Sequence, residues 1–313
     1  MSLKSSSSLK STTARDRFRE WTELARLSRV DTRKFDFSDL QASFELHDQY
    51  ARTYLGCPLT ECKVIEIGYG ARPIRLIWML GQGVDITGID LDPPILSGSP
   101  LEIFRIYRRN GWERALKTAG RWFINERHTR RAMLTELSRR KGSPFILPTD
   151  RLEVGDAASP GFWAKHPLAD YVFSEDVFEH IPADSLQRLV PMIARSMHPK
   201  GIAYVKPMVF TGICGGHQLE WYPHTIAQPR ERRTEPWEHL RKNRHPADTY
   251  LNRLQLADYR KLFADSFQIL EETVVSPGLG RHLMTPEIRE ELSAYSDEEL
   301  FSNQVIFILR PLS

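Results

Sequence analysis

Val64-Ile65-Glu66-Ile67-Gly68-Tyr69-Gly70-Ala71-Arg72-Pro73 joins an apolar run to a glycine turn, with a carboxylate just ahead of it. Val64, Ile65 and Ile67 read as a strand buried on both faces, and Pro73 to Leu80 as the helix that follows. Pro73 suits a first helical position, where its missing N–H costs nothing. Gly68 and Gly70 allow a sharp turn and the close approach of a ligand to the backbone. A second apolar strand, Val84 to Asp90, ends on an acid about 20 residues after the first glycine, the spacing at which a carboxylate meets ribose hydroxyls. These features predict a nucleoside-binding α/β unit.

Two cofactor classes fit such a unit, and Glu66 helps to separate them. A dinucleotide lays its pyrophosphate on the helix N-terminus, where an acid two residues before the first glycine adds repulsion. S-adenosylmethionine has no phosphate and carries an ammonium and a sulfonium, so a nearby carboxylate is favourable. The third glycine of the G-x-G-x-x-G fingerprint is also absent, because Pro73 occupies its position. The sulfonium cofactor is therefore favoured over NAD. An NAD(P)-dependent oxidoreductase stays open as the alternative, as does a module that binds S-adenosylmethionine without catalysis.

Further segments follow in order. Leu152 to Ala157 reads as a third strand ending near an acid, and Asp170 to Glu175 as a fourth that runs into Asp176-Val177-Phe178-Glu179-His180-Ile181. A helix from about Pro182 to Met197 leads to the turn His198-Pro199-Lys200-Gly201 and a fifth strand, Ile202 to Lys206. Taken in sequence, Glu66 to Gly70, Gly88 to Asp90, Gly155 to Ala157, Asp170 to Ile181 and His198 to Gly201 resemble a class I S-adenosylmethionine-dependent methyltransferase of the type 11-like group, whose fourth strand is followed by Glu-His-Ile. The resemblance implies a Rossmann-like α/β fold with a seven-stranded, mostly parallel sheet in the order 3-2-1-4-5-7-6, an antiparallel seventh strand and helices on both faces. Candidate closing strands are Phe267 to Val275 and Gln304 to Leu309.

The same resemblance implies the roles of individual residues. Glu66, Gly68 and Gly70 line the methionine half of the cofactor, and Asp90 accepts from the ribose hydroxyls. Asp156 and Ala157 lie beside the adenine, and Ser174 and Glu175 sit near the reacting methyl. Methyl transfer needs an acceptor aligned with the methyl and competing water excluded. A hydroxyl acceptor benefits from a general base, and histidine is the side chain most easily poised for that at neutral pH. His180, just past the fourth strand, is the first candidate and His217 the second.

The 313 residues carry a net charge of only +3, so any basic surface is local. Residues 15–313 read as one methyltransferase domain with N-terminal helices (15–56), a basic helical insertion (93–149) and a substrate-side loop insertion (208–252). Residues 1–14, rich in Ser, Thr and Lys, read as a disordered tail without the apolar core of a signal peptide. Helices are expected at Arg15 to Leu27 and Phe37 to Leu55 before the first strand. No segment has the roughly 20 apolar residues of a membrane span. The three cysteines, Cys57, Cys62 and Cys214, form neither a disulfide framework nor a zinc motif, which points to a reducing cytoplasm.

Leu101 to Lys141 holds twelve Lys or Arg against four Glu, in helical candidates Leu101 to Tyr107, Trp112 to Ile124 and His128 to Arg140. Such a run is either a solvated face or an anion-attracting lid built from Arg105, Arg108, Arg109, Arg114, Arg121, Arg127, Arg130 and Arg131. The lid would suit a small acidic or phosphorylated substrate, such as a sugar or an envelope or secondary-metabolite intermediate. Nucleic acid remains open but is not favoured, and Asp92-Pro93-Pro94 does not match the Asn/Asp-Pro-Pro-aromatic signature of amino-group DNA methyltransferases, because it follows the second strand rather than the fourth. His217, Glu220 and His224 do not have standard metal-ligand spacing, so no metal is expected. Trp221 and Tyr222 are open to two readings, stacking on an acceptor or packing under their loop.

Overall fold

The computed structural model describes residues 36–229, 232–244 and 250–312. The tail at 1–14 and the helix expected at Arg15 to Leu27 lie outside the described residues, as does the side chain of Arg114. In chain order the main elements are α1 (Ser38–Leu55), β1 (Lys63–Ile67), α2 (Ile74–Gly81), β2 (Asp85–Asp90), α3 (Pro100–Arg121), α4 (Arg127–Lys141), β3 (Leu152–Val154), α5 (Pro160–Lys165), β4 (Ala169–Glu175), α6 (Ala183–Ser196), β5 (Met197–Lys206), α7 (Glu238–Arg241), α8 (Leu256–Ala264), β6 (Phe267–Val274), α9 (Pro286–Glu291), α10 (Asp297–Phe301) and β7 (Val305–Pro311). They fall into two compact units. The larger comprises Asp31–Pro207, Arg260–Thr273 and Ile306–Ser313, and the smaller includes Met208–Tyr259 and Val274–Val305.

The sheet belongs to the larger unit and has the order β3-β2-β1-β4-β5-β7-β6. β1 pairs in parallel with β2 and β4, and β5 pairs in parallel with β4 but antiparallel with β7. This is the strand order that the resemblance implied. β1 is buried from Val64 to Ile67, Glu66 included, as a central strand covered on both faces requires. In α6, Leu186, Leu189, Val190 and Ile193 are buried, one stripe at helical spacing.

Several boundaries differ from the sequence reading for local reasons. Pro73 is the N-cap of α2, not its first helical residue, and its ψ of 47° lies outside the helical range. The turn expected at His198 to Gly201 is absorbed into β5 as a register shift, with Ala169 opposite Met197 but Tyr171 opposite Ile202. The candidate helices Leu101 to Tyr107 and Trp112 to Ile124 form one element that ends at Arg121 and is interrupted at Gly111, whose φ of 82° and ψ of 172° no helix accommodates. α4 follows after a wider turn at Trp122–Glu126.

Within the smaller unit, Trp221, Trp237, Ile213, Leu300 and Phe301 belong to one buried cluster. Glu299 is buried beside it and accepts from the backbone amides of Leu256 and Ala257 and from the hydroxyl of Thr211 (2.9, 3.0 and 2.7 Å), so it satisfies orphan donors at the start of α8. No helix among the described residues is long and apolar enough to cross a membrane.

Candidate cofactor and active site

In an open α/β sheet ligands gather beyond the carboxyl ends of the strands. Here those ends present Gly68 to Gly70 after β1, Asp90 closing β2, Asp156 after β3 and Glu175 closing β4. Gly68 (φ 83°) and Gly70 (φ 70°) are both left-handed, as a turn this tight requires. The amide of Gly68 donates to Ile89 O (2.8 Å), which carries the β1–β2 ladder into the turn.

Asp90 ties that turn together. Its Oδ2 accepts from the amide of Gly70 and its Oδ1 from the amide of Asp92, each at 2.7 Å. A carboxylate oxygen accepts more than one hydrogen bond, so this tether leaves acceptor capacity on both atoms. Side-chain space separates the two glycines. A Cβ on Gly70 would meet nothing closer than 3.9 Å, whereas one on Gly68 would lie 2.3 Å from Val177 Cγ2. Gly68→Ala is therefore expected to destabilise the fold by about 1–3 kcal/mol, from the left-handed φ together with the clash. Urea denaturation checks this, and Val177→Ala in the same chain should recover part of the loss. A neutral Gly68→Ala would contradict the turn geometry.

Glu66 is buried, and its Oε2 has no hydrogen-bond partner among the described residues. Burial pushes its carboxyl up to about 7, with Arg75 pulling it down and the charges of Glu175 and Asp90 adding to the rise. Beside it, β4 presents Tyr171, Phe173 and Glu175 at the two-residue spacing of one strand face. The parallel register sets Phe173 opposite both Glu66 and Tyr204, and Glu175 opposite Lys206.

Glu175 is the hub of an ion cluster that the sequence did not announce. Its Oε1 lies 2.9 Å from His47 Nε2 and 3.0 Å from Arg75 Nη1, and its Oε2 lies 2.6 Å from Lys206 Nζ. Burial alone would push the carboxyl up, but the His47 hydrogen bond and the charges of Arg75 and Lys206 hold it well below the usual range. His47 lies on α1 and is fully buried, and burial pushes its pKa down against the pull of Glu175. The neutral ring thus donates from Nε2 to Glu175, leaving Nδ1 to accept from the Tyr171 hydroxyl at 2.8 Å. Ser174, on the opposite face, donates to Ile67 O (3.0 Å) and is buried, so its hydroxyl ties β4 to β1.

Asp156 is exposed, and its Oδ1 accepts from the amide of Ala158 (2.8 Å). The carbonyl of Ala157 accepts from the Trp163 indole (2.7 Å), which fixes the loop after β3. His180 closes the short helical turn Phe178–His180, its amide donating to Val177 O (2.9 Å). The residue just after β4, Asp176, has a φ of 58°, a conformation costly for a side chain other than glycine and found disproportionately at functional sites.

The structure resolves some choices the sequence left open. Arg72, exposed, pairs with buried Glu126 (2.9 Å), as does Arg121. Of the arginines in the basic insertion, Arg105, Arg108, Arg109, Arg127 and Arg131 are exposed, while Arg130 is buried and stacks on Trp122 at 5.3 Å. Arg109 is electrostatically within reach of Tyr69 in the glycine turn, where its charge opposes the rise that burial imposes on the phenol.

His217 belongs to the smaller unit. Its φ is 54°, its amide donates to Cys214 O (2.8 Å), and its Nδ1 lies 3.2 Å from the Tyr222 hydroxyl. Glu220 accepts from the amides of Arg233 and Thr234 (2.9 and 2.8 Å), so its carboxylate clamps the loop. Trp221 is buried and donates its indole N–H to Thr234 (2.8 Å), which makes it core rather than an exposed stacking platform.

The strand order and the antiparallel seventh strand define a Rossmann-like α/β fold with the seven-stranded, mostly parallel sheet that the resemblance implied. No protein-family model matches the sequence, and no curated protein matches it. Solved structures similar in fold include a protein from Pyrococcus horikoshii OT3, at 12% identity and a TM-score of 0.45, covering 92% of this chain and 99% of that one. Another is geranyl diphosphate C-methyltransferase from Streptomyces coelicolor A3(2), in complex with Mg2+, geranyl diphosphate and S-adenosyl-L-homocysteine, at 11% identity, a TM-score of 0.41 and coverages of 86% and 79%. A third is a TehB-like SAM-dependent methyltransferase from Corynebacterium glutamicum, at 12% identity, a TM-score of 0.35 and coverages of 87% and 100%. None is near enough in sequence to transfer an acceptor or the role of a residue.

Proposed function

We propose that this chain binds S-adenosylmethionine at the carboxyl ends of β1, β2 and β3 and methylates a small or medium acceptor on oxygen or nitrogen. The observation that carries this reading is Glu66, a buried carboxyl with an orphaned oxygen two residues before the glycine turn. A buried polar atom without a partner is costly. An ammonium satisfies such an oxygen, and a pyrophosphate repels it.

When bound, the cofactor supplies a methyl group already activated by its sulfonium. The chain's own residues bind and orient. Glu66 meets the methionine half, and Gly68 and Gly70 leave the backbone open to it. Asp90 adds ribose contacts to its tether of the turn, and Asp156 and Ala157 border the adenine. Ser174 and Glu175 hold the end of β4 where the methyl is delivered. If the acceptor is a hydroxyl, His180 is the proposed general base and His217 the second candidate. The exposed arginines of the insertion favour an acidic or phosphorylated acceptor, such as a sugar or an envelope or secondary-metabolite intermediate.

The test is thermal and denaturant stability with S-adenosylhomocysteine or NAD, on the natural sequence and on Asp90→Ala. At about 100 times its dissociation constant, a ligand specific to the folded state adds about 2.7 kcal/mol. That gain is expected with S-adenosylhomocysteine, not with NAD, and is expected to vanish in Asp90→Ala. A gain with NAD alone would turn the reading toward an oxidoreductase. An equal gain in both proteins would remove the ribose role of Asp90. Binding without methyl transfer to any acceptor offered would leave a binding module.

A further inference from the structure

The basic insertion wears apolar side chains on its outside. Leu101, Phe104, Trp112, Leu116, Phe123 and Ile124 are all exposed, Trp112 and Leu116 at 65% and 66%. Phe104, Tyr107, Trp112, Leu116 and Phe123 line one shallow, open depression of about 600 Å³. These are not the only apolar groups of the segment, because Ile106, Ala115 and Trp122 are buried in a small core with Ile95. Among the described residues, the segment therefore packs one face and leaves a second apolar face without cover. Single exposed hydrophobic residues are ordinary, but a contiguous apolar patch marks a contact surface.

Exposed arginines flank that face. Arg105, Arg108, Arg109, Arg127 and Arg131 are exposed. The described acids of the same stretch, Glu102 and Glu126, are engaged within the fold. Glu102 accepts from the amides of Leu96, Ser97 and Gly98, and Glu126 is buried against Arg72 and Arg121. Among the described side chains from 100 to 131, no acid is exposed.

We propose that this face docks on an anionic lipid bilayer, its aromatic and aliphatic side chains entering the interface while the arginines meet lipid phosphates. Exposed Trp, Phe and Leu beside exposed arginines combine the apolar and cationic groups that an anionic bilayer interface takes up. A nucleic acid would use the arginines and aromatic rings but gain little from Leu101, Leu116 and Ile124. With no described helix able to cross a membrane, the association is peripheral.

The full chain would be sedimented with vesicles of phosphatidylcholine alone, or with one third phosphatidylglycerol, at low and high salt. The variants are Trp112→Ala with Phe123→Ala, and Arg105→Glu with Arg108→Glu. All four side chains are exposed, so circular dichroism and melting should be unchanged. Binding to anionic vesicles is expected to exceed binding to neutral ones by about tenfold or more at low salt and to weaken with salt. The aromatic pair should lower partitioning about tenfold, and the arginine pair should remove the preference for anionic lipid. Three results would overturn the proposal: no sedimentation with anionic vesicles at low salt, sedimentation indifferent to the aromatic pair, or saturable binding of an acidic amphipathic peptide by a chain that ignores vesicles.

Discussion

Replacing Glu175 with glutamine is expected to cost the fold about 3–5 kcal/mol near pH 7, because removing one partner of a buried ion cluster leaves uncompensated charge behind. Glu175, Lys206 and Arg75 have side-chain exposures of 8%, 18% and 28%, so water replaces the lost carboxylate poorly. The shape of the side chain is nearly conserved, and the loss reports charge rather than a cavity. The folded-state carboxyl lies below its ordinary 4.5, so its contribution is full above that value and shrinks as pH falls below it. The gap between the two proteins in urea denaturation should therefore be constant from neutral pH down to about 5 and narrow in stronger acid. A gap under about 1 kcal/mol at pH 7 would put the cluster in the range of exposed surface pairs and refute its structural weight.

Glu66→Gln is expected to act in the opposite direction. Burial raises the Glu66 carboxyl from 4.5 to about 7, so the folded state holds its proton after the unfolded chain has released it. Stability from this group is complete below about 4.5 and is lost as pH rises toward 7. Between those values the natural protein should lose up to roughly 3 kcal/mol that the glutamine variant keeps. The variant is thus expected to be the more stable at pH 8 without ligand. An ammonium-bearing ligand favours the ionised carboxylate, so the gain with S-adenosylhomocysteine should grow through about pH 7 in the natural protein and stay flat and smaller in the variant. Parallel stability profiles would show that Glu66 is not held protonated. A ligand gain equal in the two proteins at every pH would separate Glu66 from the cofactor site.

Much of the fold was legible from local pattern. The apolar runs at Val64, Val84 and Asp170 could be told from helices by length and β-branching, and five strand candidates with acids or glycines at their ends carried the resemblance that implied the order of the sheet. Asp90 was found by spacing alone, although its tether to Gly70 and Asp92 was not. Ser174 and Glu175 were placed at the end of β4 correctly, but their partners were out of reach. The hydroxyl of Ser174 answers Ile67 O, 107 positions away, and the carboxylate of Glu175 answers His47, 128 positions away. Arg72 and Arg75 look alike in sequence, yet one pairs at the surface end of the insertion and the other enters the cluster around Glu175.

The sequence by itself determined the strand-turn-helix unit, the glycines that let its turn go left-handed and the acids that close its strands. Those properties follow from dihedral preference and two-residue or 3.6-residue periodicity, which act between neighbours. Tertiary structure alone decided which of the charged groups were spent. It buried Glu66 with no hydrogen-bond partner for Oε2 among the described residues, gathered His47, Arg75 and Lys206 around Glu175, and stacked Arg130 on Trp122. Among the described residues, it also left apolar side chains of α3 exposed. Those outcomes depend on burial and on partners distant in the chain, which set desolvation and Coulomb energies that no local pattern records.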